Sequence, residues 1–338
     1  MIKRFGFLTF LALLFSAAIF IGITNQQNTI EGGRVLGELV SPETDSMGQV
    51  FTDAAPVVSK KTSLSFIAGG DLMFDRYIRQ VANESGYEYI LEELSEFLKQ
   101  VDFVVGNLEG PVTDSSSISM YSEFGSYENY IFTFDSTVVK ILKEYKFLVS
   151  LGNNHILNFG QDGLSKTLEY LDKGEVEYFG QAGRETVKSY LVYEKNDLKI
   201  GLVNYNQFID GGKQEVLDMI TNFKDEVDFV VVYTHWGNEY TTRAGEVIEE
   251  LAHEFVDMGA DLVIGSHPHV VQQVEEYKGK KIYYSLGNFV FDQYFSEDTM
   301  KGLLVRVDIE KESGQDLKTM YKEVPIKLLP SGKSVLRD

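Results

Sequence analysis

The chain has 338 residues, enough for one large α/β domain with additions or for two ordinary domains. Its 31 lysines and arginines against 51 aspartates and glutamates give a formal charge of −20, which argues against nucleic-acid binding through a basic face. There is no cysteine, so disulfides, thiolate zinc sites and cysteine nucleophiles are excluded. This composition is compatible with an exported protein that does not rely on oxidation.

The N-terminus has the pattern of a membrane-spanning segment. Lys3 and Arg4 precede an uncharged run from Phe5 to Ile23, which is about long enough to cross a hydrocarbon core as a helix. The residues after this run offer no good cleavage site, which favours an uncleaved signal anchor, with a cleaved signal peptide as the alternative. The positive residues predict a cytoplasmic start within residues 1–23. The expected location is therefore the cell membrane, with one span and an extracellular C-terminal domain.

The rest of the chain divides into a tether, a body and a tail. Residues 24–62 have no sustained hydrophobic periodicity and predict a flexible tether. Within residues 63–330, short apolar runs alternate with helix-like segments, which predicts an α/β domain with helices on the sheet faces. Residues 331–338 form the predicted tail. Residues 113–130 are the least regular part of the body and predict a long loop, which in a compact domain is functional or disordered.

Five of the predicted strands end in residues that carry oxygen or imidazole donors. Because α/β sheets build their sites at strand ends and in the following loops, we expect these side chains to converge. His267 and His269 flank a single proline, so their ring nitrogens can be aimed at neighbouring points. A mixed set of carboxylate, amide and imidazole donors suits Mn, Fe or Zn, as one ion or a pair. The residues are Asp71, Asn107, Glu109, Asn153, Asn154, His155, His235, Glu239, His267 and His269.

Several of these residues, taken alone, have simpler explanations. Asp71 fits a helix N-cap after a strand. Asn153 and Asn154 fit turn positions that tolerate positive φ, and His235 beside Trp236 fits a half-buried imidazole. Their joint placement at successive strand ends favours the metal site.

Six motifs, in order between residues 64 and about 308, carry a resemblance to a known family: GGDLM, GNLEGPVT, SLGNNHILNFGQDGL, THWGNEYT, GADLVIGSHPHVVQ and YYSLGNFVFDQ. Together they resemble the bacterial capsule-synthesis family known for poly-γ-glutamate biosynthesis, the CapA-type proteins. That family in turn resembles the calcineurin-like metallophosphoesterases. The resemblance implies a four-layer sandwich of two mixed β-sheets flanked by helices. It also implies an N-terminal transmembrane helix and a role outside the membrane, beside membrane capsule-synthase subunits.

The resemblance also implies roles for the site residues. His155 would be catalytic, contacting the substrate or protonating the leaving group. One or two divalent ions, Mn, Fe or Zn, would be held by Asp71, Glu109, Asn154, His235, His267 and His269. Substrate contacts are expected from Asn107, Asn153, Glu239 and Asn288.

Three residues depart from the phosphoesterase or capsule-family pattern. Met73 stands where phosphoesterases have a histidine, so one metal position loses a donor. Glu109 is longer than the bridging aspartate, and Asn158 stands where many capsule-family members have an aspartate. Two functions remain open. One is an extracellular capsule component that holds an anionic polymer such as poly-γ-glutamate, and the other is a metal-dependent hydrolase of a phosphoester or a polyglutamate amide bond.

Overall fold

The computed structural model of the protein describes residues 61–180, 182, 188–210 and 212–337. The predicted membrane anchor and all but the last two residues of the predicted tether lie outside these ranges. Among the described residues, no helix has the length and apolar character needed to cross a membrane. Residues 61–337 belong to one compact unit.

Strands and helices alternate along the described chain. The α-helices are α1 (Arg76–Ser85), α2 (Glu88–Leu91), α3 (Ser95–Leu98), α4 (Val138–Glu144), α5 (Gly160–Lys173), α6 (Gly212–Phe223) and α7 (Glu246–Met258). The strands are β1 (Lys61–Leu72), β2 (Phe103–Leu108), β3 (Phe147–Ser150), β4 (Glu177–Phe179), β5 (Tyr190–Lys195), β6 (Leu198–Asn206), β7 (Phe229–His235), β8 (Leu262–Ser266), β9 (Val274–Tyr277), β10 (Lys280–Tyr283), β11 (Asn288–Val290), β12 (Lys301–Glu312), β13 (Lys318–Leu328) and β14 (Ser334–Leu336).

These strands form two mixed sheets. The first has the order β14-β13-β12-β1-β2-β3-β4, with β11 pairing parallel to β1. The second has the order β5-β6-β7-β8-β10-β9. Parallel pairs dominate the centre of each sheet, and β2 and β7 are apolar runs buried along their whole length, as expected for strands covered on both faces.

Three hydrophobic layers hold the fold together. One lies between the first sheet and α1–α5, the second lies between the two sheets, and the third lies between the second sheet and α6 and α7. Between the sheets, the ring of Phe103 stacks on Phe66 at 4.9 Å and lies 4.6 Å from Tyr193 of the opposite sheet. Burial of each such ring stabilises the fold by roughly 1.5–3 kcal/mol. The predicted pair of mixed sheets flanked by helices is therefore confirmed.

Helix α7 shows how the sequence selects one face for the core. It buries residues at a spacing of three and four, which places them on a single stripe against the second sheet. The stripe consists of Ile248, Leu251, Ala252, Phe255 and Val256.

Two of the predicted segment boundaries differ from the structure, because paired strands extend across them. β14 lies inside the 331–338 segment predicted as a tail, and it pairs antiparallel with β13. β1 begins at Lys61, two residues before the predicted start of the body. The 113–130 segment has no α-helix or strand among its described residues and ends in a 3-10 turn at Tyr127–Tyr130.

Candidate metal centre

Asp71 lies in β1, one residue from its carboxyl end, where the backbone of β1 closely approaches the residue before β11. A side chain at Gly70 would place its Cβ 1.8 Å from the carbonyl oxygen of Gly287, so only glycine allows this approach. The register that results sets Asp71 beside Asn107 of β2 and Asn288 of β11. The sheet thus brings three polar side chains to one edge.

The Asp71 carboxylate is fully buried, and each of its oxygens accepts a hydrogen bond. Its Oδ1 accepts a hydrogen bond of 2.8 Å from Asn107 Nδ2, and its Oδ2 accepts one of 3.1 Å from the backbone N–H of His267. Burial by itself raises the pKa of Asp71, but the hydrogen bond and charge of His269 outweigh it and leave the pKa well below its ordinary value. Asp71 is not a helix cap, because α1 begins after Asp75.

Glu109, just after β2, places a buried oxygen at the centre of the site. Its Oε1 has no hydrogen-bond partner in the described part of the chain and lies 3.5 Å from His269 Nε2 and 3.9 Å from His155 Nε2. Its Oε2 accepts a 3.3 Å hydrogen bond from Asn107. Burial, followed by the charge of Asp71, raises the pKa of Glu109 well above its ordinary value. A cation at Oε1 would favour the ionised form.

The last residue of β7, His235, presents its Nε2 to the site. Its Nδ1 lies 3.1 Å from Ser266 Oγ and 3.2 Å from Asn107 Nδ2, and Nε2 lies 2.8 Å from Oδ1 of Asn154. Burial lowers the pKa of His235 well below its ordinary value, so the ring is neutral at pH 7. A neutral imidazole nitrogen and an amide oxygen this close together suit neighbouring ligand atoms of one cation.

His267 and His269 follow β8 in a strained turn. Their φ angles are 95° and 58°, in the left-handed region that non-glycine residues rarely occupy. Among the residues that the structure describes, none bonds to the buried His267 Nδ1. Burial, followed by the charge of His269, lowers the pKa of His267 to about 4, so its ring is neutral at pH 7. His269 Nδ1 lies 3.0 Å from Asn288 Oδ1, which turns Nε2 toward Glu109.

The donors fall into two groups, each with ligand atoms within 4.8 Å of one another: Asp71 with Glu109 and His235, and Glu239 with His267 and His269. Each group contains one buried atom without a hydrogen-bond partner among the described residues, Oε1 of Glu109 in the first and Nδ1 of His267 in the second. An unpartnered buried polar atom is destabilising by roughly 1–3 kcal/mol, a penalty that a bound cation would remove. The residues therefore fit one divalent ion or a pair.

His155 lies beside these groups and is held in one orientation. Its Nδ1 lies 3.2 Å from Asn158 Oδ1, which also accepts a 2.8 Å hydrogen bond from the Phe132 backbone N–H. An amide oxygen is only an acceptor, so Nδ1 carries the proton and Nε2 faces Glu109. Burial lowers the pKa of His155 to about 4, so the neutral ring presents a proton acceptor.

Three of the expected substrate contacts are buried within the protein. Asn153 donates to Asn107 Oδ1 at 3.0 Å and to the Leu108 carbonyl at 2.8 Å. Asn107 in turn joins Asp71 to Glu109, and Asn288 holds His269. These contacts favour a supporting role for Asn107, Asn153 and Asn288 in place of the expected contact with substrate.

Met73 does not line the site. It is fully buried in the hydrophobic layer under the first sheet, and its sulfur accepts a 3.0 Å hydrogen bond from the Asp75 N–H. Glu239, expected to bind substrate, lies instead with His267 and His269. The turn that places it there is closed by a 2.8 Å hydrogen bond from the Tyr240 N–H to the Pro268 carbonyl.

Sequence reasoning missed residues that hold the histidines from outside. Phe208 packs its ring 4.6 Å from His267 and 5.7 Å from His235. Gln293 accepts from Asn288 at 3.2 Å and donates to the Tyr240 hydroxyl at 3.2 Å. The motif ending in FVFDQ contains Gln293, but its polar end has no spacing that marks it as part of a site.

Comparisons with known proteins agree with the motif resemblance. Residues 65–293 match the family described as bacterial capsule synthesis protein PGA_cap. The capsule biosynthesis protein CapA of Bacillus anthracis is 32% identical over 260 residues, covering 71% of this chain and 62% of that protein. The PGA biosynthesis protein CapA of Bacillus subtilis (strain 168) is 31% identical over 266 residues, covering 74% of this chain and 68% of that protein. Among solved structures, the NAD nucleotidase of Haemophilus influenzae aligns with a TM-score of 0.48 at 12% identity, covering 82% of this chain and 60% of that one.

Proposed function

The chain belongs to the bacterial capsule synthesis protein family, and from that premise we propose that it is a membrane-anchored, extracellular component of capsule polymer synthesis with a divalent-metal hydrolase centre. The names of its Bacillus relatives support a role in capsule or poly-γ-glutamate synthesis. The charged run before the apolar segment supports the anchor and the exported body. Membrane synthase subunits and an anionic polymer such as poly-γ-glutamate are the proposed partners.

The observation that carries the metal centre is the pair of unpartnered buried atoms, Glu109 Oε1 and His267 Nδ1. They lie in two separate donor groups. Carboxylate, amide and neutral imidazole ligands suit Mn, Fe or Zn better than Ca²⁺.

In this proposal each donor residue of the two groups has a stated role. Asp71, Glu109, His235 and Asn154 would hold one ion, and Glu239, His267 and His269 would hold a second. A bound divalent ion supplies a Lewis acid that polarises a phosphoryl or carbonyl oxygen and acidifies a water.

The proposed proton carrier is Nε2 of His155. The ring is neutral, its Nδ1–H donates a hydrogen bond to Asn158 Oδ1, and its Nε2 lies 3.9 Å from Glu109 Oε1. Nε2 can therefore take a proton from the attacking water and return it to the leaving oxygen or nitrogen. Phe132, whose ring centre lies 4.5 Å from that of His155, limits the water around it.

One observation favours a non-catalytic capsule component as the second candidate. Asn158 contacts His155 with an amide where a carboxylate would stabilise the protonated ring. A weakly basic His155 would leave a centre that binds polymer and turns it over slowly or not at all.

Turnover by the metal-loaded full chain, purified in detergent, separates the two candidates. Substrates are p-nitrophenyl phosphate, bis-p-nitrophenyl phosphate and a γ-linked glutamate oligomer, assayed with wild type, His155→Ala and His253→Ala. His253 is a matched control because it lies on α7, bonded to Glu275 at 2.9 Å and outside both donor groups. Turnover that disappears only in His155→Ala, with metal retained, supports the hydrolase. No turnover by wild type, together with loss of capsule in cells carrying the His155 variant, supports the binding component.

A further inference from the structure

A cavity of about 490 Å³ lies beside the metal centre. Its walls come from the start of α1, from residues 119–130 of the long loop, from Tyr240 and from residues 292–295. This volume falls within the range of roughly 300–1,000 Å³ that is typical of small-molecule sites.

One wall of the cavity is an unbroken row of aromatic rings that starts at a metal-centre histidine. The ring of Tyr240 lies 6.1 Å from His269 and 5.3 Å from Phe295, and Phe295 lies 6.0 Å from Phe124. Phe124 is 74% exposed and Phe295 51%, so their faces are open to a ligand. Clustered exposed rings of this kind mark binding sites.

The cavity lining also contains Arg76, a residue only 8% exposed whose guanidinium is not fully bonded. It pairs with Asp292 and lies 5.2 Å from the ring centres of both Phe132 and Phe291. Its buried Nε has no hydrogen-bond partner within the described ranges of the chain. The backbone φ of Arg76 is 49°, in the left-handed region that non-glycine residues rarely occupy, so the surrounding structure must hold this conformation. Arg76 lines the cavity, so a ligand oxygen that reached its buried Nε–H would satisfy that donor.

The cavity lining carries no net charge from its described acidic and basic side chains. Arg76 and Asp292 neutralise each other, and the other polar groups are amides and hydroxyls. Asn129 bonds to Arg76 and Ser122, and Gln293 bonds to Asn288 and Tyr240, which leaves each uncharged amide one further N–H and one further oxygen lone pair. A γ-linked glutamate chain has one carboxylate in every unit, and this lining has no free cation to meet it.

We propose that the cavity binds a sugar ring without net charge. The apolar face of the ring lies against Phe295 and Phe124, its hydroxyls meet the amides, and one ring or hydroxyl oxygen accepts from Arg76 Nε. The inference rests on the proposed function in one respect. It takes the sugar to be one part of the substrate, and the neighbouring part of the same substrate to be the group that reacts at the metal centre. Carboxylate-bearing units lie outside the cavity.

Direct binding of N-acetylglucosamine tetramer tests the proposal. The metal-loaded full chain is purified in a detergent without a sugar headgroup, and binding is followed by calorimetry and saturation-transfer NMR. We expect Phe295→Ala and Phe124→Ala each to raise Kd about three- to tenfold. Arg76→Lys keeps a cation for Asp292 but removes the Nε donor, and we expect it to raise Kd about three- to tenfold. The matched controls are Tyr121→Ala and Tyr127→Ala, exposed rings of the same loop that do not line the cavity.

The outcomes separate this inference from the proposed function. Binding that weakens in the three cavity variants and not in the controls supports a sugar site, even in a chain that carries no metal and has no turnover. No tetramer binding by folded wild type would overturn it, as would equal binding by Phe295→Ala and Phe124→Ala. Tighter binding of a γ-linked glutamate tetramer, lost in the same variants, would assign the cavity to the anionic polymer instead.

Discussion

Oδ1 of Asn158 and Nδ1 of His155 are 3.2 Å apart, so the imidazole beside the metal centre is oriented by a neutral amide. The same oxygen accepts the Phe132 N–H, which fixes the amide and the ring together. This arrangement sets the orientation of His155 Nε2, and its hydrogen bond raises the pKa of the ring less than burial lowers it.

Replacing Asn158 with aspartate should therefore change the basicity of His155 and not its position. A carboxylate at 3.2 Å favours the protonated ring, so the pKa of His155 should rise from about 4. NMR titration of the ring protons in the metal-free chain measures this, with His253 as the internal reference. An unchanged pKa would show that the contact between residues 155 and 158 does not control the ring.

Glu239→Gln should weaken metal binding at one of two positions. Loss of a direct ligand should lower affinity at least as much as loss of an outer-shell partner, which is about 10- to 100-fold. Metal titration of wild type and variant measures the change. Glu297→Gln, an exposed carboxylate outside both groups, is the control. Equal affinities for wild type and Glu239→Gln would remove Glu239 from the ligand set.

Gly70→Ala should disrupt the edge of the first sheet that carries Asp71. The new Cβ would meet the Gly287 carbonyl at 1.8 Å, so β1 and β11 must separate. We expect the free energy of unfolding to fall by about 3 kcal/mol, at the upper end for overpacking, with a loss of bound metal. Thermal unfolding measures the change. Gly245→Ala is the matched control, since a Cβ there has no atom within 4 Å and the backbone φ is −80°. Similar melting temperatures for both variants would contradict the close approach.

A chain that begins at Lys61 should fold without the preceding residues. β1 starts at that residue and pairs with β12 from Lys61 to Ala68, and all three hydrophobic layers lie within residues 61–337. Cooperative thermal unfolding with the same metal content as the full chain is the expected result. Aggregation without a cooperative transition would mean that the first 60 residues are needed for the fold.

The sequence predicted the architecture because its strands are short apolar runs separated by amphipathic helices, as in β7 and α7. It also singled out Asp71, His235 and His269, which the structure brings to one edge, because polar residues at the ends of buried strands stand out from the runs before them. The orientation of Met73 was not predictable, since it depends on a hydrogen bond from Asp75 to the sulfur. Spacing along a strand does not report such a contact.

The position of Glu239 was also beyond sequence reasoning. It depends on a turn in which Tyr240 adopts a φ of 60° and bonds to the Pro268 carbonyl, 28 positions away. Likewise, the burial of Asn107 and Asn153 and the hydrogen bond between them could not be predicted from the sequence. Their identities at strand ends are equally consistent with contact to substrate.

The metal content of the full chain tests the central claim most directly. Elemental analysis of wild type should find Mn, Fe or Zn at one or two ions per chain. His267→Ala combined with His269→Ala should remove the metal and lower the melting temperature, because an ion that binds only the native state stabilises it. His253→Ala removes a contact to Glu275 outside both donor groups and should keep the metal content of wild type. A double variant with unchanged metal content would contradict the assignment of the two histidines to a metal centre.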